Sequence, residues 1–230
     1  MTDHFPVSIV IPAYNEEAGL PVVLAAISEL AESDGLEVEV IVVDDGSTDG
    51  TAREARGEGV RLLSHDRNRG YGASLKSGIQ VASHERIVII DADGTYPVEV
   101  IPDLLEQLEM ADMAVAARSA ASANIPAMRR PAKWFLQRLA EFVTGEPIPD
   151  LNSGLRAFRR GLVRHYLPLI SERFSFTTTL TIAALCDGLT IRYIDIDYRP
   201  RIGESKIVAR DFFGFLSLVT RLSILFRPLR

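Results

Sequence analysis

The sequence predicts an α/β domain in which a mainly parallel sheet carries helices on its faces. Three observations carry that prediction. Short apolar runs alternate with segments of helical period. Each of the first four runs ends abruptly in a polar turn, as parallel strands do at a ligand-binding edge. The 230 residues are 47% hydrophobic and 24% charged, which supplies a substantial core and argues against wholesale disorder.

In chain order, "VSIVI" (7–11) reads as the first buried strand, with "PAYNEE" as the turn after it. "EEAGLPVVLAAISELAES" then has helical spacing. "VEVIVV" (38–43) is the second strand, closed by "DDGSTDGT", and "VRLLS" (60–64) is the third, closed by "HDRNRGYG". "GASLKSGIQVAS" is a helix leading to "RIVII" (86–90), whose rim is "DADGTYP". "PVEVIPDLLEQLEM" is helical, and "MAVAA" (113–117) is a fifth strand. Between Ser119 and Pro149 no strand is legible, and a helix over 131–143 with a mobile loop before it is expected. "TIRYIDIDYR" (190–199) alternates apolar and polar residues, as a late strand with one wet face does. The segment 207–230 is apolar from Phe212 to Phe226 apart from Arg221 and small polar residues. That is shorter than the ~20 residues a spanning helix needs, so it reads as an amphipathic helix at a membrane interface.

Charge is unevenly spread. Residues 1–128 carry 22 acidic and 8 basic side chains, whereas 129–230 carry 9 acidic and 17 basic. The acidic half suits bound cations, and the basic half suits phosphate groups or a lipid surface. Cys186 is the only cysteine, so no disulfide framework forms within the chain and a reducing compartment is expected. "MTDHFPVSIV" lacks the basic and apolar regions of a signal peptide.

The four polar rims converge on one edge of such a sheet and form a site. In "IVIIDADGTYP", Asp91 and Asp93 flank Ala92. Side chains two apart in an extended segment project to one side, so both carboxylates face one hard divalent cation, Mg²⁺ or Mn²⁺, which in turn holds a diphosphate. The plainer alternative is one aspartate capping the next helix and the other in water. Asp44 and Asp45 are adjacent and point apart, one bracing the turn and the other free for a base or ribose. Ser47, Thr48 and Asp49 read as the N-cap of the following helix. Pro12 fixes the turn after strand one, Tyr14 offers a flat face to a nucleobase, and Glu16 suits ribose hydroxyls. No G-x-G-x-x-G turn is present, which argues against NAD.

"VSIVIPAYNEE", "VIVVDDGSTDGT", "NRGYGASLKSGI", "IVIIDADGTYP", "DLNSGLRAFRR" and "YRPRIGESKI", in this order, resemble the inverting family 2 glycosyltransferases of GT-A fold. The nearest likeness is to the polyprenyl- and dolichyl-phosphate sugar transferases, over residues 5 to 230. The resemblance implies that Pro12, Tyr14, Glu16 and Asp45 hold the nucleoside of a nucleotide sugar, with Asp91 and Ala92 beside it. Asp91 and Asp93 become the metal- and diphosphate-binding D-x-D pair. Arg118 contacts a phosphate, and Arg201, Ser205 and Lys206 belong to a loop closing over the diphosphate. Asn152, Ser153 and Gly154 form a turn near the sugar, with Asp150 and Arg156 as its charged members. Thr95 stands where mannose-transferring relatives often place Gln, so the sugar is left open. The implied organisation is a GT-A domain over 1–206 and an interface helix over 207–230. The implied location is the cytoplasmic face of a membrane, peripheral or anchored by helices beyond this chain. A nucleotide sugar and a polyprenyl phosphate are the expected partners, nucleic acid is not, and a homo-oligomer is left open.

A lipid phosphate is already anionic, so its attack on an anomeric carbon needs positioning rather than a general base. Arg118, Arg129, Arg130 and Lys133 are candidates to hold it, because guanidinium forks match phosphate oxygens. Two other readings compete. "DADGT" fits the nucleophile motif of haloacid-dehalogenase-like phosphatases, with Asp91 attacking phosphorus. A membrane-peripheral module that only binds nucleotide sugars is the non-catalytic alternative.

Overall fold

The structure, a computed structural model, describes residues 6–119, 130–170 and 176–203. The expected interface helix over 207–230 lies outside them. The strands are β1 (Val7–Ala13), β2 (Val38–Asp44), β3 (Val60–Ser64), β4 (Arg86–Ile89), β5 (Met113–Arg118), β6 (Arg156–Arg159) and β7 (Ile191–Ile196). They form one sheet of order β3-β2-β1-β4-β6-β5-β7. All pairings are parallel except those of β6, which runs antiparallel to both β4 and β5. Every strand read from the sequence is present.

Helices cover both faces. Side chains alternate along β1, so Val7, Ile9 and Ile11 pack with Leu20, Val23 and Ile27 of α1 (Leu20–Asp34) and Ile101, Leu104 and Leu108 of a later helix. Val10 points the other way, onto Leu75 and Ile79 of α3 (Tyr71–Val81). The spacing of 20, 23 and 27 puts α1's apolar stripe on the sheet, and Gly35, at φ 65, stops it in a left-handed cap. A single turn, α2 (Thr51–Glu54), follows β2, and α4 (Ile101–Leu108) precedes β5. The expected helix at 131–143 is α5 (Arg130–Thr144). It packs through Leu136 and Ala140 on Ile182 of α7 (Phe176–Cys186), while the short α6 (Arg160–Tyr166) follows β6.

Three elements, β6, α6 and α7, have no counterpart among the expected strands and helices. β6 has four residues, "RAFR", with arginine at each end, so no apolar run marks it. Helix α7 is buried from Phe176 to Ala184, so it shows no amphipathic period. One position needs correcting: Pro12 lies inside β1, paired with Val43, rather than in the turn. Its nitrogen faces the β4 side, where pairing has already ended at Val10, so no ladder hydrogen bond is lost.

Candidate active site

Parallel strands deliver the loops that follow them to the carboxyl rim. The antiparallel β6 delivers instead the loop that precedes it. Residues 150–155 therefore sit beside Asp91, at the end of β4.

Asp91 and Asp93 stand on a turn, not on extended backbone, because β4 ends at Ile89. Each is held by its own partners. Tyr71 Oη donates to Asp91 Oδ1 at 2.9 Å. The Thr95 hydroxyl and backbone N–H both donate to Asp93 Oδ1, at 2.6 and 3.1 Å, so Thr95 orients Asp93 from inside the protein. Burial, and then the charge of Asp93, push the Asp91 carboxyl up to about 7 despite the Tyr71 hydrogen bond and the Arg118 and Arg201 charges. Burial and the Asp91 charge likewise push the Tyr71 hydroxyl well above its ordinary value, so it stays a donor. Two glycines make room. A Cβ on Gly154 would lie 2.3 Å from Asp91 Oδ2, and one on Gly19 would lie 2.6 Å from the Ala92 carbonyl.

The donor set suits a hard divalent cation: two carboxylates, one of them under-compensated at neutral pH. Among the described residues no three His, Cys, Asp or Glu side chains cluster as metal ligands. The remaining coordination would have to come from water and substrate oxygens.

The first two rims knit to each other. Asn15, at φ 53, accepts from the Thr48 N–H through Oδ1 and donates its own N–H to Ser47 Oγ. Asp44 accepts from the Ser47 N–H and so braces its turn. Asp49 accepts from the N–H of Thr51, the first residue of α2, although the capping position itself is Gly50. Asp45 is 3% exposed and takes three internal donors or partners: the N–H groups of Arg69 and Gly70, and His65 Nδ1 at 2.6 Å. It therefore positions the loop after β3, where Ser64, His65, Asp66, Arg67 and Arg69 line a hollow of about 460 Å³. Tyr14 is partly exposed at the same rim.

The 150–156 turn is braced from within. Arg118, at the end of β5, forks onto Asp150 with Nε at 2.5 Å and Nη2 at 2.8 Å, and lies 5.3 Å from the Tyr198 ring centre. Burial works against its charge, but Tyr96 and Asp150 outweigh that and raise it above the ordinary arginine value. Ser153 is fully buried and donates to the Ala116 carbonyl, and Gly154 N–H donates to Tyr96 Oη. Asn152 Oδ1 accepts from Thr178, on α7. Arg156 is wholly buried and donates to the Ser153 and Thr177 carbonyls and to Thr181 Oγ1. Of the residues assigned to the sugar, Ser153 thus shapes the turn, while Gly154 lies against Asp91.

The segment after β7 folds back over the D-x-D turn. Arg199 and Ile202 N–H groups donate to the Thr95 and Asp93 carbonyls. Arg201 Nη1 lies 3.0 Å from Asp93 Oδ2, and its Nη2 pairs with Glu16. Arg201 Nε is buried with no hydrogen-bond partner among the described residues. Such an orphaned donor beside the carboxylates suits an incoming anion. Arg129, Ser205 and Lys206 lie outside the described residues, and of Arg130 and Lys133 only the backbone, in the first turn of α5, is described. Tyr71, Tyr96, Tyr198 and His65 were missed as site residues. Their signal was position: each sits within a few residues after an apolar run, at the rim.

A family model described as "Glycosyl transferase family 2" matches residues 8–167. A dolichyl-phosphate hexose transferase of Haloferax volcanii is 32% identical over 87% of this chain and 86% of its own length. An undecaprenyl-phosphate 4-deoxy-4-formamido-L-arabinose transferase of Aeromonas hydrophila is 33% identical over 95% of this chain and 66% of its own. A prophage bactoprenol glucosyl transferase homolog of Escherichia coli is 33% identical, and the chain spans 57% of that protein. Among solved structures, glucosyl-3-phosphoglycerate synthase from Mycobacterium tuberculosis, in complex with Mn²⁺, UDP-glucose and phosphoglyceric acid, superposes with a TM-score of 0.73. It covers 95% of this chain and 79% of its own at 23% identity, a likeness of fold.

Proposed function

The chain belongs to glycosyltransferase family 2, and from that premise we propose that it moves a hexose from a nucleotide diphosphate sugar to a polyprenyl phosphate, inverting the anomeric centre and using a divalent cation. The observation that carries this is the meeting of Arg201 with Asp93 and Glu16. A metal-type carboxylate, a ribose-type carboxylate and a cationic loop share one point, which is where a nucleotide diphosphate belongs. The names of the relatives supply the acceptor class, and the fold neighbour's Mn²⁺ complex supports the metal.

In this reading Tyr14 and Glu16 receive the nucleoside. A cation on Asp91 and Asp93, when bound, supplies positive charge to the leaving diphosphate. Arg201 would exchange Asp93 for a diphosphate oxygen and stabilise the same charge. Arg118, fixed by Asp150, orients the acceptor phosphate. A phosphate oxygen then bonds the anomeric carbon as the carbon–oxygen bond to the diphosphate breaks, and a single in-line displacement inverts the centre. No proton need be removed from an acceptor that is already anionic. The phosphatase reading finds no support, since no third carboxylate joins Asp91 and Asp93 among the described residues.

The test is a panel of GDP- and UDP-hexoses with polyprenyl phosphate, with and without Mn²⁺ or Mg²⁺. Product is expected with one donor and only with metal, and Asp93→Ala lowers turnover by roughly 10³-fold or more. Wild-type turnover in Asp93→Ala refutes the metal assignment, and no product from any donor refutes the transfer itself.

A further inference from the structure

Helix α5 presents apolar side chains in two directions. Leu136 and Ala140 are buried against α7, with Leu139 and Val143 packed beside them. On the other side Trp134, Phe135 and Phe142 are 61%, 50% and 85% exposed, and Arg138 lies exposed among them. At about 100° per residue these four positions share an arc of about 100° on the outer surface. Single exposed apolar residues need no explanation, but three aromatics on one helix face do.

We propose that this face of α5 docks on a lipid bilayer bearing anionic headgroups. Tryptophan and phenylalanine around an arginine are what an interfacial helix offers to the headgroup boundary. Charge agrees: α5 contains Arg130, Lys133 and Arg138 against Glu141 alone, within a half-chain of 17 basic and 9 acidic residues. The placement agrees too. The turn at Asp150–Asn152, which clamps Arg118, follows α5 after a few residues, so a docked α5 holds that rim of the site close to the lipid surface. The proposal rests on the lipid-phosphate reading above for its purpose.

Trp134 is the only tryptophan in the chain, so it reports on this face alone. With the full chain and vesicles of phosphatidylcholine and phosphatidylglycerol, its emission is expected to shift to the blue. Lipids brominated near the headgroup should quench it, more weakly when the anionic lipid is left out. Phe142→Ser, which keeps the reporter, is expected to lower vesicle partitioning about tenfold. Co-sedimentation without a change in Trp134 emission overturns the proposal, because another surface then docks. So does burial of Trp134 in a dimer without vesicles, detected by light scattering. Transfer to a short, water-soluble polyprenyl phosphate without vesicles is expected to be unaltered by Phe142→Ser. Failure of that transfer in the wild-type chain sinks the functional reading and leaves the docking result standing.

Discussion

Asp91 is a residue whose chemistry the surroundings change strongly. Its folded value of about 7 lies above the ordinary 3.8, so the fold favours its protonated form. The stability this contributes is full below about pH 4 and is lost as pH rises through 7. Metal-free protein is therefore expected to melt at lower temperature at pH 8 than at pH 5, by a margin that shrinks in Asp91→Asn. Protons and metal compete for the same oxygens, so apparent Mn²⁺ affinity should fall by up to about tenfold per pH unit between 7 and 5. Calorimetric titration across that range checks it, and a flat affinity would remove Asp91 from the metal site. The D-x-D pair was legible from the sequence, because two acids at the mouth of a buried strand have few other uses. The raised carboxyl was not legible, since it comes first from burial and then from the charge of Asp93, in a pocket where Gly154, 63 positions along the chain, leaves the room a Cβ would fill.

At the scale of elements, β6 and α7 decide how the site is supported, and neither announced itself. Arg156 begins β6 and ties it to α7 through Thr177 and Thr181, with no carboxylate among its hydrogen-bond partners in the described residues. Burial pulls its guanidinium below the ordinary arginine value, and Tyr71 is the first group opposing that. Arg156→Ala would strip the Ser153 carbonyl of both its guanidinium donors and leave a cavity, while the Thr177 carbonyl keeps the Thr181 hydroxyl, at a cost of roughly 3–5 kcal/mol. Urea unfolding measures this, and a loss under about 1 kcal/mol would show that water replaces the guanidinium without penalty. The family resemblance implies that Arg156 is a charged member of a turn near the sugar. The structure gives it no exposed surface and makes it the anchor of that turn.

Across the whole molecule, the ends of the described chain meet. Glu16 follows the first strand and Arg201 the last, 185 residues apart, and their pair closes the site. Since that contact is partly exposed, it adds little to stability. Arg201→Ala should lower kcat by 10²-fold or more while Tm moves by no more than about 3 °C. Steady-state kinetics beside a thermal melt separate the two, and a large fall in Tm with kcat preserved would make the arginine a structural strut. The strand and helix alternation, the polar rim and the carboxylate pair can be read from residue order alone, because they follow from local periodicity and from where polar residues interrupt apolar runs. The antiparallel entry of β6, the commitment of Asp45's oxygens to His65, Arg69 and Gly70, and the reach of Arg201 to Asp93 exist only once the chain is folded. Those facts depend on contacts between residues far apart in the chain, and no local pattern of side chains encodes which distant partner arrives.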